Sequence, residues 1–167
     1  LEWAWSASPI TAVGLYEGET FDARLLPRGW STRSFDAAAW SPVQVLPRAD
    51  FTARIESPTA LPVQQVETIA PVSVERQPNG RIRLNFGQNI SGVIRIRVRA
   101  EAGRTVRLHH AEVIENGELG TRPLRGATSI DTFTTRGGGE EVYTPRFTIH
   151  GFQYAELEYW PGELADG

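Results

Sequence analysis

Apolar and polar residues alternate with a period of two through much of the chain. Arg81-Ile82-Arg83-Leu84-Asn85-Phe86 alternates without a break, and Val93–Arg99 does so after its first two residues. Thr105-Val106-Arg107-Leu108-His109 repeats the pattern. Thr132–Thr135, Phe147–Ile149 and Tyr154–Trp160 are further candidates, and Glu19–Arg24 is the clearest near the start. Each run has one apolar and one polar face, which predicts antiparallel strands with one side wet. Asn79-Gly80, Ala102-Gly103 and Asn116-Gly117 supply tight-turn chemistry between runs, and Gly137-Gly138-Gly139 reads as a flexible tip. Many short strands with frequent turns predict an all-β fold, an antiparallel β-sandwich or jelly roll. Helix is expected to be scarce. Ser34–Trp40, with Ser34 or Asp36 as N-cap, is the best helical stretch, and it reads as a short turn ending before Pro42.

The first part of the chain is less regular and holds Trp3, Trp5, Trp30 and Trp40. Pro58, Pro62 and Pro71 then space out an extended stretch. This predicts a division into residues 1–56, the tail of a preceding sandwich or an extension with a helical turn, and residues 57–167, a β-sandwich.

Composition narrows the chemistry. The 167 residues carry a net charge of −3 and include no cysteine, which removes disulfides, thiolate zinc sites and a cysteine nucleophile. All 17 basic residues are arginine, so lysine-based phosphate loops and Schiff bases are excluded. Mild acidity argues against nucleic-acid binding. No apolar run reaches the ~20 residues of a membrane helix, and the opening residues do not read as a secretory signal. The compartment stays open between the cytoplasm and secretion. Without a methionine, Leu1 is not a natural translation start, so the chain is expected to be a processed or excised piece.

Candidate chemistry is sparse. Glu156 and Glu158 lie two apart on one strand face, as an acid–base pair for glycoside hydrolysis would, or simply as a polar strand face. His109 and His110, with Glu112, begin a metal-ligand pattern without completing one, and hydrogen-bonded structural histidines are the simpler alternative. Asp22 and Arg24 share a strand face with Glu19 opposite. They form either an ion pair that positions the strand or a site for calcium or sugar hydroxyls. Trp30 and Trp40 suit stacking on a sugar face, or core packing.

Five segments in order resemble one family. Gly18-Glu19-Thr20-Phe21-Asp22-Ala23-Arg24 is similar to the Gly-Glu-Thr-Tyr-Asp-Ala-Arg motif of bacterial α-L-rhamnosidases, glycoside hydrolase family 78. Gly29-Trp30 with Phe35–Trp40, Asn85–Gly92, His110-Ala111-Glu112, and Pro145–Tyr154 resemble later segments of that family. The resemblance implies a non-catalytic, concanavalin-like β-sandwich. Its partner would be the catalytic (α/α)6 barrel of the same parent chain, whose acidic motif is absent here. It carries over no catalytic residue, cofactor or metal ligand, and implies that this piece alone is inactive. Its role would be to scaffold the barrel and shape substrate access. The alternative is an autonomous module binding rhamnose-containing saccharides through Trp30, Trp40, Glu19, Asp22 and Arg24. Dimerisation through open sheet edges is also expected. Two departures stand out: Asn85 replaces the family's usual Asp, and Gln153 its usual Arg. A neutral hydrogen bond between them would replace an ion pair.

Overall fold

The computed structural model describes residues 3–162. Its strands in chain order are β1 (Ala4–Trp5), β2 (Ile10–Gly14), β3 (Gly18–Asp22), β4 (Ser41–Pro42), β5 (Ser73–Arg76), β6 (Ile82–Gly92) and β7 (Ile96–Arg99). Then come β8 (Thr105–Ala111), β9 (Ile114–Glu115), β10 (Glu118–Leu119), β11 (Ile130–Thr134), β12 (Glu140–Tyr143) and β13 (His150–Glu158). Among the described residues, helix is confined to three single 3₁₀ turns. The chain is all-β, as its alternation predicts.

It divides into two units. The smaller comprises residues up to Ala7 together with Pro27–Thr68; the larger is Ser8–Leu26 with Ile69 onward. The smaller unit has one ladder, the two-residue pair β1–β4. Ser34–Trp40 forms turns, not helix. Asp36 accepts a hydrogen bond from Ala38 N (2.9 Å), an Asx turn that competes with helix over so short a run. Phe35 and Trp40 pack on each other, their ring centres 5.4 Å apart.

In the larger unit, one sheet runs β2-β3-β11-β8-β13-β6-β5. All its pairings are antiparallel except β11–β3. The β7–β12 ribbon packs on it through one core. Ile96, Val98 and Tyr143 of the ribbon share that core with Val106, Leu108 and Phe133 of the sheet. Phe133 stacks on Tyr143, with ring centres 4.7 Å apart. The buried positions of β6 are the alternate residues that the period of two selects, and so are Val106, Leu108 and His110 of β8, whose last residue, Ala111, is buried as well.

Turn chemistry also holds. Asn116 and Gly117 both take positive φ (53° and 81°), closing the β9–β10 hairpin. Gly103 closes a tight turn, but its flanking strands do not pair, because β7 pairs with β12. In β6, Gly87 at φ +74° carries a bulge, since two steps along β13 (Phe152 to Tyr154) oppose five along β6 (Ile90 to Asn85).

Phe147–Ile149 is not a strand, contrary to its pattern. Its backbone donors are already taken: Phe147 N donates to the Glu19 carboxylate and Ile149 N to the Leu15 carbonyl. The polar faces of β6, β8 and β13 are not simply wet either, because arginines lie across their carboxylates.

Candidate functional site

On the sheet face away from the core, cross-strand register sets Glu156 of β13 between Arg83 of β6 and His109 of β8. The next step sets Glu158 beside Arg107. Arg83 grips Glu156 at 2.6 Å and its other bond reaches Gly117 O in the β9–β10 turn at 2.7 Å. Arg81 bridges both carboxylates, at 3.4 Å to Glu156 and 3.2 Å to Glu158. His109 Nε2 lies 2.8 Å from Glu158 and Arg107 3.3 Å from it. Glu156 is fully buried under this lattice. Burial opposes ionisation of Glu158, but the His109 hydrogen bond and the Arg81 charge outweigh it, so its carboxyl lies below the ordinary value. A glycosidase acid needs the opposite shift. These two carboxylates act as an electrostatic clamp across β6, β13 and β8.

The core side holds a second polar cluster. Alternation points His110 inward with Val106 and Leu108, and Asp131 inward with Phe133. Ser129 orients both imidazoles: its carbonyl accepts from His110 Nδ1 and its hydroxyl bonds His150 Nδ1, both at 3.0 Å. A carbonyl only accepts, so His110 carries its proton on Nδ1 and presents a bare lone pair at Nε2. That lone pair faces Asp131 Oδ2 at 3.8 Å, and neither atom has a hydrogen-bond partner. Asp131 Oδ1 is satisfied by Glu19 N (2.8 Å) and His150 Nε2 (3.2 Å). Burial first, and then the neighbouring His150, push the pKa of His110 down to about 4, with Asp131 opposing in part.

His110, Asp131 and His150 are the group of described residues whose donor atoms lie close enough to share a metal ion. The two rings stack at 4.2 Å with planes 21° apart. Their in-plane lone pairs therefore lie in two separate, nearly parallel planes, so binding one ion in the plane of both rings requires a ring to turn. As they stand, these residues are a hydrogen-bonded lock joining β8, β11 and β13.

Glu19 belongs to this lock and not with Asp22. It is buried on the core side, where its carboxylate accepts from Tyr143 Oη (3.3 Å), Arg146 N (3.1 Å) and Phe147 N (3.2 Å). Burial and the negative Asp131 and Glu19 raise the pKa of the Tyr143 phenol, which stays a donor. Asp22 takes Arg24 in a two-pronged ion pair (2.7 Å) and caps the following 3₁₀ turn through Arg24 N. The hydrogen bond from the Arg24 guanidinium lowers the pKa of Asp22. Trp30 and Trp40 lie in the smaller unit, Trp30 half exposed. Asp131, Ser129 and the link between His110 and His150 are not legible as a cluster in the sequence; only the inward parity that Ser129 and Asp131 share with Phe133 signals the first two. The expected neutral pair is present: Gln153 Nε2 donates to Asn85 Oδ1 at 3.2 Å, and Asn85 Oδ1 also accepts from Gly87 N at the bulge.

The architecture, a seven-stranded sheet with the β7–β12 ribbon packed on it through one core, is that of an antiparallel-rich β-sandwich. Residues 75–167 match the family model of the bacterial alpha-L-rhamnosidase concanavalin-like domain, and residues 1–67 that of the alpha-L-rhamnosidase N-terminal domain. The chain belongs to the bacterial alpha-L-rhamnosidase family. An alpha-L-rhamnosidase of Streptomyces avermitilis is 40% identical over 97% of this chain, and one of Alteromonas sp. 32% identical over 92%. Among solved structures, an alpha-L-rhamnosidase from Dictyoglumus thermophilum superposes with a TM-score of 0.86 at 36% identity over 96% of the chain. The Streptomyces avermitilis enzyme, complexed with L-rhamnose, gives 0.83 at 38% identity over 97%. The chain spans 16% and 17% of the length of the two relatives, and 18% and 16% of the two solved chains.

Proposed function

We propose that this chain is a non-catalytic part of a larger α-L-rhamnosidase, scaffolding the catalytic (α/α)6 barrel of the same polypeptide and shaping how substrate reaches it. The observation that carries this reading is coverage: the similarity runs along nearly the whole chain, and the relatives are about six times its length. The chemistry agrees, because Glu156 and Glu158 are held by arginines and His109 and so cannot cycle as acid and base. The smaller unit agrees too. Leu61, Val63 and Val66 are each more than nine-tenths exposed, and an extended apolar segment of this kind calls for a surface to cover it.

An aryl α-L-rhamnoside assay tests the reading. The 167-residue chain gives no turnover above buffer, and the parent-length chain hydrolyses the glycoside. Turnover by the shorter chain that disappears in Glu156→Gln would sink the proposal. A second reading, direct contact with a rhamnose-containing saccharide, draws support from half-exposed Trp30. Calorimetric titration with L-rhamnose, with and without calcium, separates the two: flat heats in both favour the scaffold, and saturable heat lost in Trp30→Ala favours the sugar site.

A further inference from the structure

The lock in the core of the large unit carries a charge imbalance. Asp131 and Glu19 are both buried, and Glu19 N donates to Asp131 Oδ1 at 2.8 Å, so the two sit in one cluster. The Glu19 carboxylate is met by Tyr143 Oη and by the backbone nitrogens of Arg146 and Phe147, all neutral donors. Among the described residues, no arginine lies within ion-pair distance of either carboxylate, and Asp131 faces only His110 and His150. Two carboxylates sealed in a core without a cation are costly, and buried charges in proteins are paired or bound to a metal. Beside them, His110 already stands as metal-ligating histidines do. Its Nδ1–H is held by a backbone carbonyl, and its Nε2 lone pair is bare. Asp131 Oδ2, equally bare, is 3.8 Å away. An ion that sits ~2.0–2.1 Å from each atom bridges a gap of that width.

We propose that His110, Asp131 and His150 form a structural site for one divalent transition-metal ion of the zinc type, which staples β8, β11 and β13 together. His110 Nε2 and Asp131 Oδ2 are its first two ligands. His150 supplies the third by turning its ring out of the stack, about a torsion that is broad for imidazoles. Its Nε2 donates to Asp131 Oδ1 (3.2 Å) before the ring turns. Ligation moves that proton to Nδ1, where the Ser129 hydroxyl can accept it as readily as it donates. Two imidazoles and one carboxylate suit zinc and its neighbours, whereas calcium asks for a shell of oxygens. The two charges of the ion balance Asp131 and Glu19. His110, Asp131 and His150 are sealed from solvent, so the site offers substrate no open position and contributes stability, not catalysis. The inference stands apart from the scaffold reading, since it concerns the core of the sandwich alone.

The test strips the 167-residue chain with EDTA, removes the chelator and titrates Zn²⁺ in a calorimeter. One ion binds per chain, and the melting temperature rises by at least ~5 °C at a free Zn²⁺ concentration of about a hundred times Kd. His110→Gln weakens binding by more than the ~10–100-fold that loss of an outer partner costs. His109→Gln, on the other face of β8, binds as wild type does. Should His110→Gln fail to fold, wild-type crystals soaked in Zn²⁺ decide the matter, with an anomalous difference peak between His110 Nε2 and Asp131 Oδ2. Flat heats with the wild-type chain, a peak elsewhere, or equal binding by His110→Gln overturns the site. A wild-type chain that takes no zinc, and whose nitrogen NMR shows both ring nitrogens of His150 protonated at about pH 7, overturns it as well and assigns the balancing charge to a proton.

Discussion

At the residue scale, the decisive feature is a histidine with a bare lone pair in the core. His110 is pinned neutral: its Nδ1–H donates to Ser129 O, burial opposes a second proton, and His150 stacks above it. Asp131 is the one carboxylate among its named charge neighbours, and His109 and His150 both disfavour a further charge. Because its pKa falls from 6.5 unfolded to about 4 folded, the unfolded chain takes up the proton first on acidification. The stabilisation is therefore complete above pH ~6.5 and is lost as pH falls towards ~4, by roughly 3 kcal/mol. Urea titrations from pH 7 to pH 4 should show this slope, and His110→Gln should flatten it; a variant with the same slope as wild type places the effect elsewhere. The sequence reveals that His110 shares a face with Leu108. It does not reveal Asp131, Ser129 and His150 as its partners, because they come from β11, the residue before it, and β13, and strand pairing brings them together. The Asn85–Gln153 bond was legible because both departures from the family pattern occur in motifs that pair across one ladder.

At the element scale, alternation gives the strands and their inward faces, but not what covers the outward ones. Glu156 and Glu158 read equally well as solvated or catalytic until register sets Arg81, Arg83, Arg107 and His109 around them. The same limit explains Phe147–Ile149, where alternation predicts a strand and the donors go to Glu19 and Leu15. The β6–β13 clamp has a measurable signature. Glu156 is sealed and Arg83 nearly so, and removing one partner of a buried pair leaves an uncompensated charge, at a cost of about 3–5 kcal/mol. Glu156→Ala should destabilise by that order in denaturant unfolding. Arg83→Met with Glu156→Leu should lose distinctly less, because no charge is then stranded except the partly exposed Arg81. Equal losses in the single and double variants would mean that packing, and not charge, holds β6 to β13.

At the scale of the whole molecule, the two units differ in what protects their backbones. The large sheet satisfies its amides through continuous ladders over a shared core. Residues 44–68 have a few local bonds: Asp50 N to Pro47 O, Phe51 N to Arg48 O, an Arg54–Glu56 ion pair, and a side-chain bond from Gln65 to Thr68. Their apolar side chains, Val45, Ile55, Leu61, Val63 and Val66 among them, face solvent. Amides that lack both ladder and cover open at almost no free-energy cost, while core ladders open only with global unfolding. In hydrogen exchange on this chain, peptides from residues 44–66 should therefore exchange close to their intrinsic rates, and β8, β11 and β13 should exchange most slowly. In a parent-length chain the same 44–66 peptides should slow by at least tenfold if the rest of the polypeptide covers them. Equal rates in the two chains would mean that this segment is a bare tether, and scaffolding would then fall to the sandwich alone.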